Sequence, residues 1–290
     1  MSKLIITTEG FDFCVYDIES HSIEYKYPST EKLNCPELEG QGRATHRPFG
    51  IDISENKIYI ASNNKLASFN KKDFKFESLI DVPLYINTHQ ILKDKDTFYV
   101  TNTAVNNIGI YNTQTSSNTF LDVSSFKLSS ETPEAPENSE AQDEHHVNSL
   151  FDYEDDIYFC LHNRGKELSY YGYFDKTEHK VKHVIDLGTC GHNILIIHNI
   201  MYTLSTGSGE LYEIDLKEKK VAVFKVAEPS EVFIRGLALY KNKLIIGCSV
   251  NFKTGRDLSA YLLEMNIITK QFKQYNLPEL KYINDIKLMD

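Results

Sequence analysis

The sequence predicts an all-β protein, a six-bladed β-propeller, from three observations. Short apolar runs alternate with turn-forming residues along the whole chain, which is typical of β-meanders. Units of four such runs recur at roughly the spacing of a propeller blade. A lone apolar run at the C-terminus supplies a strand that the first unit lacks. We therefore expect the C-terminal strand to join the N-terminal blade and close the ring.

The strands are predicted unit by unit. The first unit has three, at 3–8, 13–18 and 22–27, and the lone final run covers 283–289. Five complete units lie between them, at 49–53, 57–61, 65–70 and 74–80; at 89–92, 97–101, 108–112 and 119–123; at 148–152, 157–161, 169–174 and 180–185; at 193–197, 200–205, 210–214 and 221–226; and at 236–240, 243–248, 261–266 and 271–275. No linker divides the units, so we expect one domain over 1–290.

One position repeats in the first strand of each unit. The matching residues are Gly50, Gln90, Asn148, Asn193, Gly236 and Asp285. Most steps between them are close to the roughly 40 to 45 residues of familiar blade repeats. The step from Gln90 to Asn148 is longer because it contains a segment rich in Ser, Pro and Glu. We expect this segment, 124–144, to be an acidic loop insertion, either a solvated excursion or a flap over a pocket.

Composition excludes several classes of function. The net charge of −10 argues against a protein that binds nucleic-acid backbones, because such proteins need a basic face. The chain has neither a signal-like N-terminus nor an apolar run of the roughly 18 residues that a membrane helix needs. Its five cysteines include no CxxC pair, so we expect reduced thiols, with Cys160 and Cys248 in the core. These features favour a cytoplasmic protein that binds neither nucleic acid nor membranes, and they say little about the substrate.

Polar residues stand at the entrances of the predicted first strands. In a propeller these strands line the axis, so residues at their entrances converge although they are distant in sequence. The entrances carry His46, His89, His145 and His146, His192, Arg235 and Asn284. Half of the ten histidines therefore fall in a small fraction of the chain. This enrichment predicts a functional site.

Imidazoles that converge in this way suit a divalent transition metal such as Mn, Fe, Zn or Ni. We predict His89, His146 and His192 as the metal ligands. A metal-free polar pocket that uses histidine as acid or base, and purely structural histidines, are the alternatives.

The remaining entrance residues have predicted roles around this centre. His46 or His145 would move a proton, and Arg235 would clamp an anionic group unless it pairs with Glu231 or Asp285. The predicted substrate-binding residues are Arg47, Gln90, Asn148, Asn193 and Asn284.

Two further segments are predicted to be structural. The segment His162-Asn163-Arg164-Gly165 follows a second strand, and we expect its turn on the opposite rim or the outer side. The segment 205–209 has the glycines of a phosphate loop but joins two strands, so we expect a turn.

Three segments carry a resemblance to a known group. His146-Val147-Asn148-Ser149-Leu150, Arg235-Gly236-Leu237-Ala238, and Gly247-Cys248-Ser249 with the downstream Arg256 resemble the signature of uncharacterised bacterial six-bladed propeller proteins. The fold is also similar to the gluconolactonase/paraoxonase and streptogramin-lyase groups. The lactonases hold a divalent metal with Glu, Asn and Asp, whereas this sequence offers histidines. Histidine-ringed metals do occur in oligogalacturonate lyases and carotenoid oxygenases, which have seven blades and are analogies of site alone.

The sequence therefore predicts a metal-dependent lyase, hydrolase or isomerase that acts on a small anionic substrate, such as a sugar derivative. The alternative is a non-catalytic binding module that presents one rim to a protein or a glycan.

Overall fold

The fold is a six-bladed β-propeller, as the sequence predicts. The computed structural model describes residues 2–8, 11–27, 48–62, 65–80, 88–131, 143–250 and 259–289. Within these ranges the strands form six antiparallel sheets, joined by tight turns and two short 3-10 turns, Thr103–Val105 and Asn163–Gly165. The described part contains no helix with the length and hydrophobicity to cross a membrane. The chain packs as two compact units, each larger than one of the four-strand repeats described above. From here on, the first unit is residues 1–80 with 230–290, and the second unit is residues 81–229. The single domain over 1–290 stays a prediction.

The first unit contains the sheet that joins the two ends of the chain. Its strand order is β25 (Asp285–Met289), β1 (Lys3–Thr8), β2 (Phe11–Asp17) and β3 (Ser22–Lys26). Lys3 lies opposite Met289 in the β1–β25 pair, which confirms the predicted closure by the C-terminal strand. The other two sheets of this unit are simple meanders of β4 (Pro48–Ile53), β5 (Lys57–Ser62), β6 (Lys65–Asn70) and β7 (Phe76–Ile80), and of β21 (Val232–Tyr240), β22 (Lys243–Val250), β23 (Ala260–Asn266) and β24 (Phe272–Leu277).

The second unit contains three consecutive meanders. They comprise β8 (Thr88–Asp94), β9 (Thr97–Asn102), β10 (Asn107–Asn112), β11 (Ser117–Asp122) and β12 (Lys127–Ser129); β13 (Val147–Tyr153), β14 (Asp156–Leu161), β15 (Ser169–Asp175) and β16 (Val181–Leu187); and β17 (Gly191–Ile197), β18 (Ile200–Ser205), β19 (Glu210–Asp215) and β20 (Val221–Lys225).

Strand β12 corrects the predicted loop insertion at 124–144. It pairs with β11 and gives the first meander of this unit a fifth strand. All three residues of β12 are exposed, so the strand has no buried face and no hydrophobic pattern for sequence analysis to detect. Residues 132–142 of that segment lie outside the described residues.

Each unit is held together by apolar side chains buried between neighbouring sheets. In the first unit, Leu4 and Tyr16 pack with Ala238 and Leu262. In the second, Ile108 and Leu121 of one sheet pack with Leu150 and Phe159 of the next. The two sheet faces thus exclude water from each other, which is the main stabilising contribution in such folds.

The described cysteines are Cys14, Cys160, Cys190 and Cys248, and all carry free thiols. Cys160 and Cys248 are fully buried, which confirms their predicted place in the core. Burial raises the pKa of the Cys14 and Cys248 thiols to about 12, so these thiols stay protonated and unreactive.

A hydrogen-bonded turn recurs at the end of the third strand of every sheet. There an Asp or Asn side chain accepts the backbone N–H two residues further on, as in an Asx turn, and in every case except Asn70 it also accepts the N–H three residues further on. The six residues are Asp17, Asn70, Asn112, Asp175, Asp215 and Asn266. The turn fixes the reversal into the fourth strand of the sheet, and either side chain can form it because both offer an oxygen at the same place.

The aspartate versions of this turn make stability depend on pH. The N–H groups of Glu178 and Glu218 lower the pKa of Asp175 and Asp215 respectively. A lowered folded-state pKa gives stabilisation that is present above the unfolded pKa of about 3.9 and is lost as pH falls through the folded value. We expect the Asp175→Asn/Asp215→Asn variant to lose less stability than the wild type between about pH 4 and 2. Urea unfolding at a series of pH values measures this.

Asp155→Asn, which changes an exposed aspartate in a different turn, is the control. An equally steep loss of stability in the double variant would contradict this account of the turns.

Candidate functional site

The first strand of each sheet in the second unit has a β-bulge near its start. The register slips between Thr88 and Ile91 in β8, between Val147 and Ser149 in β13, and between His192 and Ile194 in β17. The repeated positions identified from the sequence lie within these bulges: Gln90, Asn148 and Asn193. A bulge breaks the ladder locally and re-aims a side chain, which explains why polar residues stand in otherwise apolar strands.

The bulge residues connect neighbouring sheets of this unit. Gln90 Oε1 accepts a hydrogen bond of 2.9 Å from the N–H of Leu150 in β13. Asn148 Nδ2 donates to the carbonyl oxygen of Gly191 in β17 at 2.9 Å, and the N–H of Asn193 donates at 2.8 Å to the serine that follows Asn148. Gln90 and Asn148 are buried, and these bonds satisfy polar groups that would otherwise be costly to bury. Substrate binding by Gln90, Asn148 and Asn193 stays a prediction.

Four imidazole rings lie next to one another in space at one end of these sheets. The ring centroids of His89 and His146 are 4.7 Å apart, those of His146 and His162 are 4.7 Å apart, and those of His162 and His192 are 5.0 Å apart. We call this group the histidine row. It brings together the three histidines predicted as metal ligands and adds His162, which was expected elsewhere.

The placement of His162 corrects the expectation that its turn lies on the opposite rim or the outer side. Strands β13 and β14 are antiparallel and Val147 pairs with Leu161, so the end of β14 lies beside the start of β13. The N–H of His162 donates to the carbonyl oxygen of His146 at 3.2 Å. Counting back along the hairpin from the Tyr153–Asp156 pair would have placed His162 opposite Val147, and the bulge at Asn148 moves it beside His146.

His146 is oriented by a buried carboxylate that sequence analysis missed. Its Nδ1 lies 2.7 Å from Oδ2 of Asp143, whose side chain is only 5% exposed. An ionised carboxylate only accepts hydrogen bonds, so Nδ1 of His146 carries the hydrogen and Nε2 of the neutral ring carries the lone pair. Asp143 lies at the end of an acidic, low-complexity segment, where nothing in the pattern distinguishes it from the other acidic residues.

His192 is oriented in the same sense by a peptide carbonyl. Its Nδ1 lies 2.9 Å from the carbonyl oxygen of Cys190 and 3.0 Å from Oγ1 of Thr206. A carbonyl oxygen only accepts, so Nδ1 of His192 donates and Nε2 is the basic nitrogen of the neutral ring. The segment 205–209 that supplies Thr206 forms the predicted strand-to-strand turn.

The backbone near the row adopts conformations that are uncommon for residues other than glycine. Most residues with positive φ in this chain lie in hairpin turns, but His146 (φ 52°), Cys190 (φ 54°) and Asn193 (φ 55°) do not. Left-handed conformations outside tight turns persist where the surrounding contacts enforce them, and they cluster at functional positions. Here they accompany the oriented rings.

The other predicted site residues fall into three groups. His145 is half-buried, and its N–H is held by Asn106 Oδ1 at 3.0 Å; its proposed proton transfer stays a prediction. His46 and Arg47 lie outside the described residues. Arg235 and Asn284 belong to the first unit, and their grouping with the histidines stays a prediction.

In that unit, Arg235 lies in the bulge of β21 between Ile234 and Leu237. Asn284 precedes β25 and donates its N–H to the carbonyl oxygen of Thr7 at 2.9 Å.

The described residues contain no group of three or more His, Cys, Asp or Glu side chains placed to hold a metal ion. The imidazoles instead form a row of neighbouring rings, with His162 between His146 and His192. These residues as arranged do not fit the predicted three-histidine ligand set of His89, His146 and His192, and metal binding stays a prediction.

Comparison with solved structures shows the same fold class. A chain of a nidogen/laminin complex superposes with a TM-score of 0.70 at 9% identity, over 99% of this chain and 98% of that chain. A protein of unknown function from Bacteroides caccae gives 0.63 at 11% identity, over 99% and 98% of the two chains. A streptogramin B lyase gives 0.56 at 14% identity, over 82% of this chain and 71% of that chain. At these identities the likeness is one of fold, and it confirms the predicted similarity to streptogramin-lyase propellers.

No known family model matches the sequence, and no curated protein matches it. The chemistry of the site therefore has to be argued from its own residues.

The orientation of the two rings has a direct spectroscopic consequence. We expect His146 and His192 to be predominantly the tautomer protonated on Nδ1, because the acceptors beside Nδ1 require a donor there. Nitrogen-15 NMR of histidine-labelled protein at about pH 8.5, above the usual histidine pKa of roughly 6.5, distinguishes the tautomers. His183, an exposed histidine outside the row, serves as the reference. Nε2-protonated rings at positions 146 and 192 would contradict the assignment.

Proposed function

We propose that the protein is an enzyme of the lyase class that moves a proton of its substrate with His146, oriented by Asp143. The observation that supports this most directly is the 2.7 Å contact between Asp143 Oδ2 and His146 Nδ1. A carboxylate in this position fixes the imidazole tautomer and stabilises the imidazolium formed when Nε2 takes up a proton. Such an arrangement suits general acid–base catalysis, where one well-placed group contributes about 10²- to 10⁴-fold in rate.

The chemical step that fits one oriented base is an elimination. His146 Nε2 would accept a proton from a carbon next to a carbonyl or carboxylate group. The electrons of the broken C–H bond would form a double bond, and the leaving group would depart with the electrons of its own bond to carbon. No oxidant or reductant is required.

The streptogramin B lyase gives support at the level of fold only. The proposal that the substrate is small and anionic rests on the sequence-based prediction that Arg235 binds an anionic group.

A binding module is the second candidate. The nidogen/laminin complex contains a chain of the same fold that matches almost the full length of this protein. A propeller of this kind can present one surface to a partner protein, in which case the histidines would have structural roles. The two candidates differ in one respect: an enzyme loses turnover when His146 is changed, whereas a binding module has no turnover to lose.

Substitutions in the Asp143–His146 pair test the catalytic proposal. The protein is screened for double-bond formation by ultraviolet absorbance with small hydroxy acids and sugar acids. We expect His146→Gln to lower kcat by about 10²- to 10⁴-fold and Asp143→Asn to lower it by at least about tenfold, because each removes proton transfer or its orientation.

His183→Gln is the matched control, since His183 is exposed and pairs with Asp186 away from the row. A screen without any turnover, or full turnover by His146→Gln, would rule out this mechanism.

The predicted metal is tested independently of turnover. Elemental analysis of purified wild-type protein and of the His89→Ala/His192→Ala variant measures Mn, Fe, Ni and Zn. If the sequence-based prediction holds, the wild type contains one equivalent of metal and the folded double variant loses it. Metal-free wild-type protein that has not been treated with chelators would count against the predicted ligand set.

A further inference from the structure

The turn that follows β14 holds the segment carrying the Asp143–His146 pair. The N–H of His162 donates to the carbonyl oxygen of His146 at 3.2 Å, and the N–H of Asn163 donates to the carbonyl oxygen of His145 at 2.9 Å. Two successive N–H groups thus bind two successive carbonyl oxygens beyond the last ladder pair of the β13–β14 hairpin. The residues before β13 are fixed by this turn and by the bond from His145 N–H to Asn106.

Arg164 adds contacts to Asp143 from the same turn. Its Nη1 donates to the backbone carbonyl oxygen of Asp143 at 3.3 Å and lies 3.9 Å from carboxylate Oδ2, the atom that contacts His146. The arginine side chain is 40% exposed whereas that of Asp143 is 5% exposed. One guanidinium therefore contacts both the backbone and the buried charge of the residue that orients His146.

The conformation of this turn is unusual for its sequence. Asn163, Arg164 and Gly165 have φ angles of 53°, 51° and 70°, three consecutive residues in the left-handed region. Arginine pays a steric cost there that glycine does not. A glycine at position 164 would relieve this cost, so Arg164→Gly removes the side chain without adding backbone strain.

We propose that Arg164 is a positioning residue that holds the Asp143 carboxylate against Nδ1 of His146. The guanidinium fixes Asp143 at its backbone and partly offsets its negative charge, so that the carboxylate stays in the orientation in which it accepts from His146. This inference rests on the proposed role of His146. Arg164 acts through Asp143 and is not assigned any contact with substrate.

Arg164→Gly separates positioning from folding. Glycine adopts positive φ without strain, so we expect a melting temperature equal to or above that of the wild type. We expect the His146 ring to change from one dominant Nδ1-protonated tautomer to a mixture, as seen by nitrogen-15 NMR at about pH 8.5. Arg164→Lys should have an intermediate effect, because lysine keeps the positive charge but lacks the planar, rigid guanidinium that holds Nη1 near both Asp143 oxygens.

Two controls sharpen the experiment. Lys166→Gly removes an exposed cation two residues further along the chain and should leave the His146 spectrum unchanged. Guanidinium chloride at about 20 mM, well below denaturing concentrations, should restore the Nδ1-protonated form in Arg164→Gly by replacing the missing group.

On a substrate found by the screen, Arg164→Gly should lower kcat roughly tenfold with little change in KM, because misorientation affects the reacting geometry more than binding.

The outcomes are distinguishable. A wild-type His146 spectrum in Arg164→Gly overturns the positioning role and leaves the proposed function intact. A disturbed spectrum in Arg164→Gly, together with full turnover by His146→Gln, supports the positioning role and rejects the proposed function. A wild-type protein without a dominant Nδ1-protonated His146 overturns both.

Discussion

Antiparallel pairing between β13 and β14 is the constraint on which the site depends. Because Val147 is opposite Leu161, the residues before β13 and those after β14 emerge side by side. This one register brings a carboxylate, two imidazoles and a guanidinium to the same end of a hairpin, although two of them precede β13 and two follow β14. A slip of one residue would turn these side chains to the other face and separate them.

The bulges in the first strands of the second unit place polar side chains where they bond to the next sheet. An ideal strand would bury Gln90 and Asn148 without partners, at a cost comparable to a lost hydrogen bond for each polar group. The bulge instead directs the side chain to the backbone of the next sheet, where it makes a bond of ordinary length. The bulges lie at the same strand ends as His89, His146 and His192. Neighbouring sheets are thus fixed to each other where their histidines meet.

The sequence located part of the site and misplaced part of it. The repeat identified Gln90, Asn148 and Asn193, because a polar residue that recurs at the same position of an otherwise apolar strand can be recognised in the sequence. It also brought His89, His146 and His192 to one region, and the structure joins them in the histidine row through His162. His162 was misplaced because the rim was assigned from strand order without following the hairpin back to its start. Asp143 was missed because an acidic residue in an acidic segment has no local signal.

The all-β class, the six repeats and the closing strand can be predicted from the amino-acid sequence alone, because they follow from periodic patterns of apolar residues and turns. The sequence also shows which positions break the apolar pattern. The partners of those positions become visible only in the fold, because Gln90 and Asn148 bond to backbone groups of neighbouring sheets that lie 60 and 43 residues away in sequence. The order of the rings and the hydrogen bonds of the 162–165 turn arise from the register of β13 with β14 and from the packing of neighbouring sheets. The Asp143–His146 contact joins residues only three apart, and it depends on the backbone conformation of residues 143–146, which the acidic sequence there does not reveal.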